Sequence, residues 1–352
     1  TVFSEQSNNL NFNDNVNGGQ DLSSITCICG EYMRILTVNR NDAGQRLDKF
    51  LSKAVRGLPA SLMYKFIRTK KIKLNRKRCQ PNDVLTEGDE IQLFIKDEFF
   101  GSPEQDRTAG TLASITPKLN IVYEDENIML LNKRPGVLVH EDTRGEDNTL
   151  VMHLKAYLYQ RGEYDPECEQ SFAPAMCNRI DRNTGGIVIA AKNAEALRVM
   201  NQKIKDGEVA KFYVCAVHGV LKAKSGTLHN WLLKDSDSNT VRVSDVRRQG
   251  YKEAITKYRV LRTSGDRSLL EIQLITGRTH QIRAQMAHAG YPLMGEGKYA
   301  HNRYDRAEGY KFQALYAWRV RFDFTGDDVL SYLSGREFSL GEDDVWFVGE
   351  FR

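Results

Sequence analysis

The stretch Asn178-Arg-Ile-Asp-Arg-Asn-Thr-Gly-Gly-Ile-Val-Ile-Ala-Ala-Lys192 decides how this chain is read, because its two halves differ so sharply. Asn178 to Gly186 is polar, with Asp181 between Arg179 and Arg182 and two glycines closing the segment. Ile187 to Ala191 is a short apolar run rich in β-branched residues, the pattern of a buried strand. A charged loop feeding a buried strand holds reactive side chains on a rigid support. Flanking guanidinium groups favour the ionised form of Asp181, and a fixed carboxylate can act as a nucleophile or stabilise a cation. The same residues also fit a plain turn in which Asp181 caps the backbone and its arginines are solvated, since structural ion pairs perturb carboxylates too.

Working outward, 352 residues are enough for two domains with a sizeable core. An apolar fraction of 41% suits a globular protein, and no apolar run approaches the roughly 18 residues of a membrane helix. No basic-then-apolar leader is visible at the N-terminus. Cys27, Cys29, Cys79, Cys168, Cys177 and Cys215 follow no metal spacing, so reduced thiols in a cytoplasmic protein are expected, without zinc. There is no Rossmann glycine pattern and no phosphate loop. The net charge is only +4, but it is unevenly spread: Arg46 to Arg78 holds twelve Lys or Arg and one acid, Asp48. The end of the chain beyond Thr325 is acidic instead. A basic module beside a near-neutral one suits a polyanion partner.

In chain order, residues 1–32 are rich in Asn, Asp, Gly and Ser and are expected to be disordered or an upstream extension. Residues 33–96 read as a small α+β domain. A strand at Ile35–Val38 is followed by a helix through Leu47, Phe50 and Leu51, then a second helix capped by Ser61 with Met63, Phe66 and Ile67 inward. Ile91, Leu93 and Ile95 close it as a strand. Lys65, Arg68, Lys70, Lys71, Lys73, Arg76, Lys77 and Arg78 face outward with no acid among them, whereas a solubilising surface mixes signs. They are candidate RNA phosphate contacts. Residues 97–116 read as a linker, with Gly101, Ser102, Pro103 and Gly110. A hairpin at Ile121–Leu131 leads to Lys133-Arg-Pro-Gly136. A helix capped by Asn193 runs to Gly207, a strand spans Val209–Val217, and another spans Leu269–Ile275. Gly277-Arg-Thr-His-Gln-Ile-Arg283 opens a helix that ends near Gly290, and Phe312–Phe324 reads as the last core strand. Residues 326–352 are expected to be an appended tail.

Four of these segments in order resemble the RluA family of pseudouridine synthases. Asn178–Lys192 is similar to its catalytic motif, usually His-Arg-Leu-Asp-Arg-x-Thr-Ser-Gly before an apolar strand and Ala-Lys. Lys133–Gly136, Lys211-Phe-Tyr213 and Gly277–Arg283 resemble the others, the last residue for residue. Asn178, Gly185 and Gln285 depart from the usual His, Ser and His. Arg46-Leu-Asp-Lys-Phe-Leu51, the basic helix and the Glu87-Gly-Asp89 turn resemble the S4 RNA-binding domain.

The resemblance implies an α+β protein: an S4-like domain (33–96), then a catalytic domain (117–325) with a mixed, largely antiparallel sheet and flanking helices. It implies conversion of uridine to pseudouridine, needing no cofactor or metal, by a monomer whose partner is RNA, most naturally large-subunit rRNA. Asp181 would attack the target nucleotide, Tyr213 pack on the uracil and Arg278 pair with Asp181. Arg179, Arg182, Lys133, Gln281 and Arg283 would contact substrate. The alternatives are a synthase for tRNA or small-subunit rRNA, or a non-catalytic RNA-binding assembly factor.

Overall fold

The computed structural model describes residues 26–28, 31–100, 108–141, 148–235 and 238–351. Most of the N-terminal stretch expected to be disordered lies outside these, as do Gly101, Ser102 and Pro103 of the expected linker. The chain divides into two compact units, Thr1–Gly101 and Ser102–Arg352.

In the first unit, strands β1 (Thr26–Ile28) and β2 (Glu31–Thr37) precede helices α1 (Leu47–Ala54) and α2 (Ala60–Arg68). Strands β3 (Ile72–Leu74), β4 (Lys77–Arg78) and β5 (Glu90–Phe94) complete a sheet in the order β1-β2-β5-β3-β4. Leu47, Phe50 and Leu51 of α1 and Met63 and Ile67 of α2 bury against Ile72, Ile91 and Leu93. Pro59, not Ser61, is the N-cap of α2. Its φ of −60° and ψ of 141° supply the extended residue before the first turn, which moves the helix start ahead of the expected one.

The second unit opens with α3 (Thr108–Ser114), inside the stretch expected to be linker. Leu112 is fully buried in one apolar cluster with Leu154 and Leu158 of α4 (Leu150–Gln160), so α3 belongs to this core. Strands β6 (Ile121–Glu124), β7 (Ile128–Lys133), β8 (Ala175–Met176) and β9 (Gly185–Ala191) are followed by α5 (Ala194–Lys205) and β10 (Val209–His218). The Asn193 side chain accepts from Ala196 N at 2.8 Å, as expected of an N-cap. Then come β11 (Ser225–Asp235), β12 (Thr240–Ser244), β13 (Lys252–Ser264), β14 (Arg267–Leu274), α6 (Gln281–His288), α7 (Arg303–Ala307), β15 (Leu315–Phe322) and β16 (Glu337–Ser339).

These strands form an 11-stranded sheet whose main path runs β12-β11-β13-β14-β10-β15-β9-β7-β6. Its named pairs are antiparallel except β15 with β9, which run parallel and meet only at Tyr316–Gly185 and Ala317–Gly186. Two glycines permit that meeting: a Cβ on Gly186 (φ +111°) would overlap the Ala317 backbone, and one on Gly185 the Tyr316 ring. Beyond this contact the two strands no longer pair. The loop bearing Asp181 enters β9 at that point.

Side-chain alternation sorts the sheet's two faces. Ile187 and Ile189 of β9 and Val214 and Ala216 of β10 bury in one cluster with Ala196 and Met200 of α5. Tyr213, Cys215 and Val217 face the other way, against Ile282 and Met286 of α6. The segment after Thr325 is not an appendage: Leu330, Leu333, Leu340, Val345, Phe347, Val348 and Phe351 join the α5-side cluster. β16 pairs with β15. The segment's apolar residues come singly or in short groups between acids and glycines, which hides their common face in sequence.

Candidate active site

Asp181 sits in a turn closed by Thr184 N donating to its carbonyl at 3.0 Å. The carboxylate does not cap that turn. It accepts from Arg283 Nη1 through Oδ2 at 2.8 Å, and its side chain is 28% exposed. The guanidinium that holds the acid is therefore that of Arg283, not of the flanking Arg179 or Arg182. The loop is fastened to the neighbouring 133–137 segment: Gly136 N donates to the Arg182 carbonyl at 2.9 Å, and Arg182 Nε to the Gly136 carbonyl at 3.1 Å.

Lys133 completes this lacing. It is buried, and its Nζ donates to the carbonyls of Arg134, Val137 and Arg182 at 3.1, 2.8 and 2.9 Å. Burial pushes the ammonium down to about 7, with the Asp181 charge opposing the fall. An ammonium whose three donors are all taken by backbone carbonyls is a strut for the loop that carries Asp181, not the substrate contact expected of it.

Gln281 is likewise internal. Its Oε1 accepts from Thr276 Oγ1 and Arg278 N, and its Nε2 donates to Ile255 O and Thr256 Oγ1, all within 2.8–3.1 Å. Arg179 and Arg182 are exposed.

The expected pair of Arg278 with Asp181 is corrected by the structure. Arg278 is exposed, and its Nε donates to the Glu253 carbonyl at 2.9 Å on β13. Arg283, in the first turn of α6 and buried, makes the ion pair instead. The chain reaches α6 through His280 in the left-handed region (φ 50°, ψ 22°). That turn sends the segment before it toward β13 and the first turn of α6 toward Asp181. A non-glycine residue held there stores about 1 kcal/mol or more of strain, a feature of functional sites.

Three residues not read from the sequence join this arrangement: Glu296, His280 and Tyr299. Glu296 is fully buried and accepts from Arg283 Nε and Nη2 at 2.7 and 2.8 Å. Burial opposes its ionisation, but Arg283 and the backbone N–H groups of Lys298 and Tyr299 hold it below the usual carboxylate range. Burial also opposes the Arg283 charge, and the Glu296 and Asp181 carboxylates overcome it. His280 Nε2 lies 3.8 Å from Asp181 Oδ2, and its Nδ1 is 2.8 Å from Tyr299 Oη. Burial lowers His280 to about 4, so it is neutral near pH 7. In the sequence Glu296 is an acid between Gly295 and Gly297, within a 293–299 segment that resembles the family without marking this residue.

Tyr213, 6% exposed, packs with Ile180, Ile282 and Ala317, and burial and the nearby Asp181 charge both raise its hydroxyl pKa. It lies at an irregularity in the β10–β15 pairing, between Phe212 and Tyr213, which re-aims a side chain in a way a regular ladder does not. The three departures from the usual motif are absorbed internally. Asn178 Oδ1 accepts from Ile189 N at 2.8 Å, Gly185 makes room for Tyr316, and buried Gln285 bonds Thr256, Asn230 and the Leu228 and Ala254 carbonyls.

In the first unit Lys65, Arg68, Lys70, Lys71, Arg76, Lys77 and Arg78 are exposed, and half-buried Lys73 lies 5.0 Å over the Phe94 ring. Among the described residues no three His, Cys, Asp or Glu side chains gather as a metal site, and no helix is long and apolar enough to cross a membrane.

Comparison with known proteins agrees with this geometry. The RNA pseudouridylate synthase family matches residues 127–288, and the S4 domain matches residues 45–91. Ribosomal large subunit pseudouridine synthase C of Buchnera aphidicola subsp. Baizongia pistaciae is 30% identical over 270 residues, 77% of this chain and 82% of that protein. Its Salmonella typhi namesake is 29% identical over 304 residues, 84% and 90% of the two chains. Among solved structures, human RNA pseudouridylate synthase domain containing 4 shares the fold, with a TM-score of 0.51 at 19% identity over 67% of this chain and 92% of that one. The ordered motifs, the acid held on an arginine and relatives aligned along most of their length lead to one assignment: the chain belongs to the RNA pseudouridylate synthase family and carries an N-terminal S4 domain.

Proposed function

We propose that this pseudouridine synthase acts on large-subunit ribosomal RNA and that Asp181 is its nucleophile. The observation that carries the second part is the Asp181 carboxylate, held through one oxygen by Arg283 and partly open to solvent beside Tyr213. The substrate class rests on the relatives, which are large-subunit synthases by name.

The isomerisation conserves atoms and electrons: the bond from ribose C1′ to uracil N1 breaks, the base turns, and a bond to C5 replaces it, with the C5 proton transferred to N1. Asp181 attacks the target nucleotide and is regenerated when the new bond is complete. The base must first leave its stack, which costs a few kcal/mol and favours unpaired targets. Tyr213 gives the extruded uracil an aromatic face, while exposed Arg179 and Arg182 hold the nucleotide's flanks. Arg278, exposed at the end of the β14–α6 connection, serves as a phosphate contact. Lys133, Gln281 and Arg283 act from behind the surface, holding the loop and its acid.

The experiment is Asp181→Asn, which keeps the side chain's size and removes its charge. Turnover on large-subunit rRNA falls to background, while melting temperature and RNA affinity stay near wild type. Measurable turnover by the purified variant would sink the nucleophile. Pseudouridine mapping in rRNA and tRNA from cells with and without the protein tests the substrate, and losses confined to tRNA or small-subunit rRNA would redirect it.

A further inference from the structure

We propose that Glu296 is a positioning residue for the reaction. By holding the Nε–Nη2 edge of Arg283 it aims Nη1 at Asp181 Oδ2 and leaves Asp181 Oδ1 as the reacting oxygen. The inference rests on the reading of Asp181 as nucleophile, and goes beyond it in naming the oxygen and the residue that selects it.

Arg283 presents its donors in a rigid planar fork. Glu296 accepts from Nε and Nη2 at 2.7 and 2.8 Å, which fixes the plane of that fork and leaves Nη1 pointing away. Nη1 donates to Asp181 Oδ2 at 2.8 Å. The same oxygen has His280 Nε2 at 3.8 Å, so the two side-chain nitrogens within 4 Å of the carboxylate both lie on the Oδ2 side. Among the described residues nothing donates to Oδ1. An oxygen free of donors keeps its lone pairs available, whereas those of Oδ2 are engaged by Arg283.

Glu296 is itself anchored: it is fully buried and its Oε1 also accepts from Lys298 N at 2.8 Å. It lies beyond the 127–288 match to the family, past the end of α6, and acts on Asp181 through Arg283. A buried carboxylate placed solely to stabilise the fold would be indifferent to which oxygen of a neighbouring acid is engaged. Here the engaged one is set by the residual edge of the clamped guanidinium.

The test is a kinetic comparison of Glu296→Gln, Glu296→Asp, Arg283→Gln and the Glu296→Gln/Arg283→Gln double variant on one RNA substrate. Misplacing an attacking group by about 1 Å is worth roughly a hundredfold in rate. Glu296→Gln and Glu296→Asp therefore lower kcat by about ten- to a hundredfold, with KM within about twofold of wild type.

The pH profile adds a signed readout. The titratable and charged groups facing Asp181 are Arg283 and His280 of the α6 region, Lys133 of β7, Tyr213 of β10, and Lys298 and Tyr299 of the following segment, with Glu296 behind Arg283. Loss of the Glu296 charge alone, with Arg283 in place, favours ionised Asp181 and moves the acid limb of kcat down. Release of Arg283 from Asp181 moves it up. We expect the upward shift in Glu296→Gln.

Because Glu296 acts through Arg283, the double variant is no slower than Arg283→Gln. It removes both members of the buried pair, so it remains informative where Glu296→Gln alone does not fold. Wild-type kcat in a folded Glu296→Gln, a downward shift of its acid limb, or additive losses in the double variant would each overturn the proposal. Asp181→Asn run in parallel separates the layers: turnover there removes the nucleophile itself, whereas an inactive Asp181→Asn beside a fully active Glu296→Gln removes only the role of Glu296.

Discussion

Arg278 and Arg283 lie in one short motif, and the family resemblance assigns the Asp181 pair to Arg278 where the structure gives it to Arg283. Which arginine reaches the acid depends on where α6 begins and on the left-handed turn at His280, and neither is encoded in a local propensity. Tyr213 stands out only through the family resemblance, since a Tyr on such a strand otherwise reads as core, while Asp181 is legible as a candidate because a polar loop before a buried strand is a pattern of sequence. Glu296 is not, because its partner is 13 residues away across a loop and is recognised only by its geometry. The distinction has a measurable consequence. Arg283→Ala leaves Glu296 buried without its counter-charge and Asp181 without its donor, so stability falls by about 3–5 kcal/mol and turnover at neutral pH drops by at least about a hundredfold. Arg283→Lys rescues poorly, since an ammonium cannot serve Glu296 through two parallel bonds and Asp181 as well. Arg278→Ala, by contrast, leaves melting unchanged and weakens RNA binding about tenfold or less, as for one charged contact. Steady-state kinetics and thermal melts of the three variants check this. Equal kcat losses in Arg278→Ala and Arg283→Ala would return Arg278 to the acid.

At the scale of elements, strands with continuous apolar runs and helices with a cap and a period are readable: β9 is buried at every position, and α5 begins at Asn193 as its cap predicts. The stretch holding β11, β12 and β13 is not, since these strands keep charged residues on an open face and offer a weak alternation. The end of the chain reads as a tail for a related reason, because its contacts are with distant residues. Glu208 makes that docking sensitive to acid. It accepts from Thr325 N at 2.9 Å and Thr325 Oγ1 at 2.8 Å, with Lys203 Nζ at 2.9 Å. The Thr325 amide, Lys203 and the Thr325 hydroxyl hold the carboxyl at about 2, against 4.5 unperturbed. A depressed folded pKa means that the unfolded chain binds the extra proton, so this contribution is complete above about 4.5 and is lost as pH falls toward about 2. Hydrogen exchange of residues 330–351 should quicken over that window in wild type and less steeply in Glu208→Gln; identical slopes would remove Glu208 from the account. The β9–β15 contact yields a second expectation. Gly185→Ser, which restores the family's usual residue, meets the Tyr316 ring, itself fixed by a 2.9 Å bond to Asn132 Oδ1. It should destabilise by about 1–3 kcal/mol, and Tyr316→Leu should recover part of that loss in the pair, as chemical denaturation of the single and double variants can decide.

Across the whole molecule, the net charge of +4 conceals two different arrangements. Acids of the C-terminal segment are matched within the second unit: Glu342 with Arg262 at 2.7 Å, Glu337 with Arg319 at 3.2 Å, Glu350 with Arg267 at 3.5 Å and Asp328 with Lys203 at 3.2 Å. In the first unit Lys65, Arg68, Arg76 and Lys77 are exposed and form no ion pair with a described carboxylate. Like charges without a described carboxylate partner repel one another, and an external polyanion would relieve that repulsion. The sequence discloses this, because a run of one sign needs no tertiary information to be seen. Neutralising these four residues with Gln leaves the core of Met63, Ile67, Ile72 and Leu93 untouched, so melting should hold. Every RNA phosphate that goes without its cation in the variant should flatten the plot of log affinity against log salt by roughly 0.7–0.9, and affinity for substrate RNA at low salt should fall with it. Turnover at saturating RNA should survive, since none of the four lies in the unit that carries Asp181. The measurement is a salt titration of RNA binding by wild type and the quadruple variant, alongside kcat at saturation. An unchanged slope would mean that the basic face only keeps the protein in solution, and that recognition rests on the catalytic unit alone.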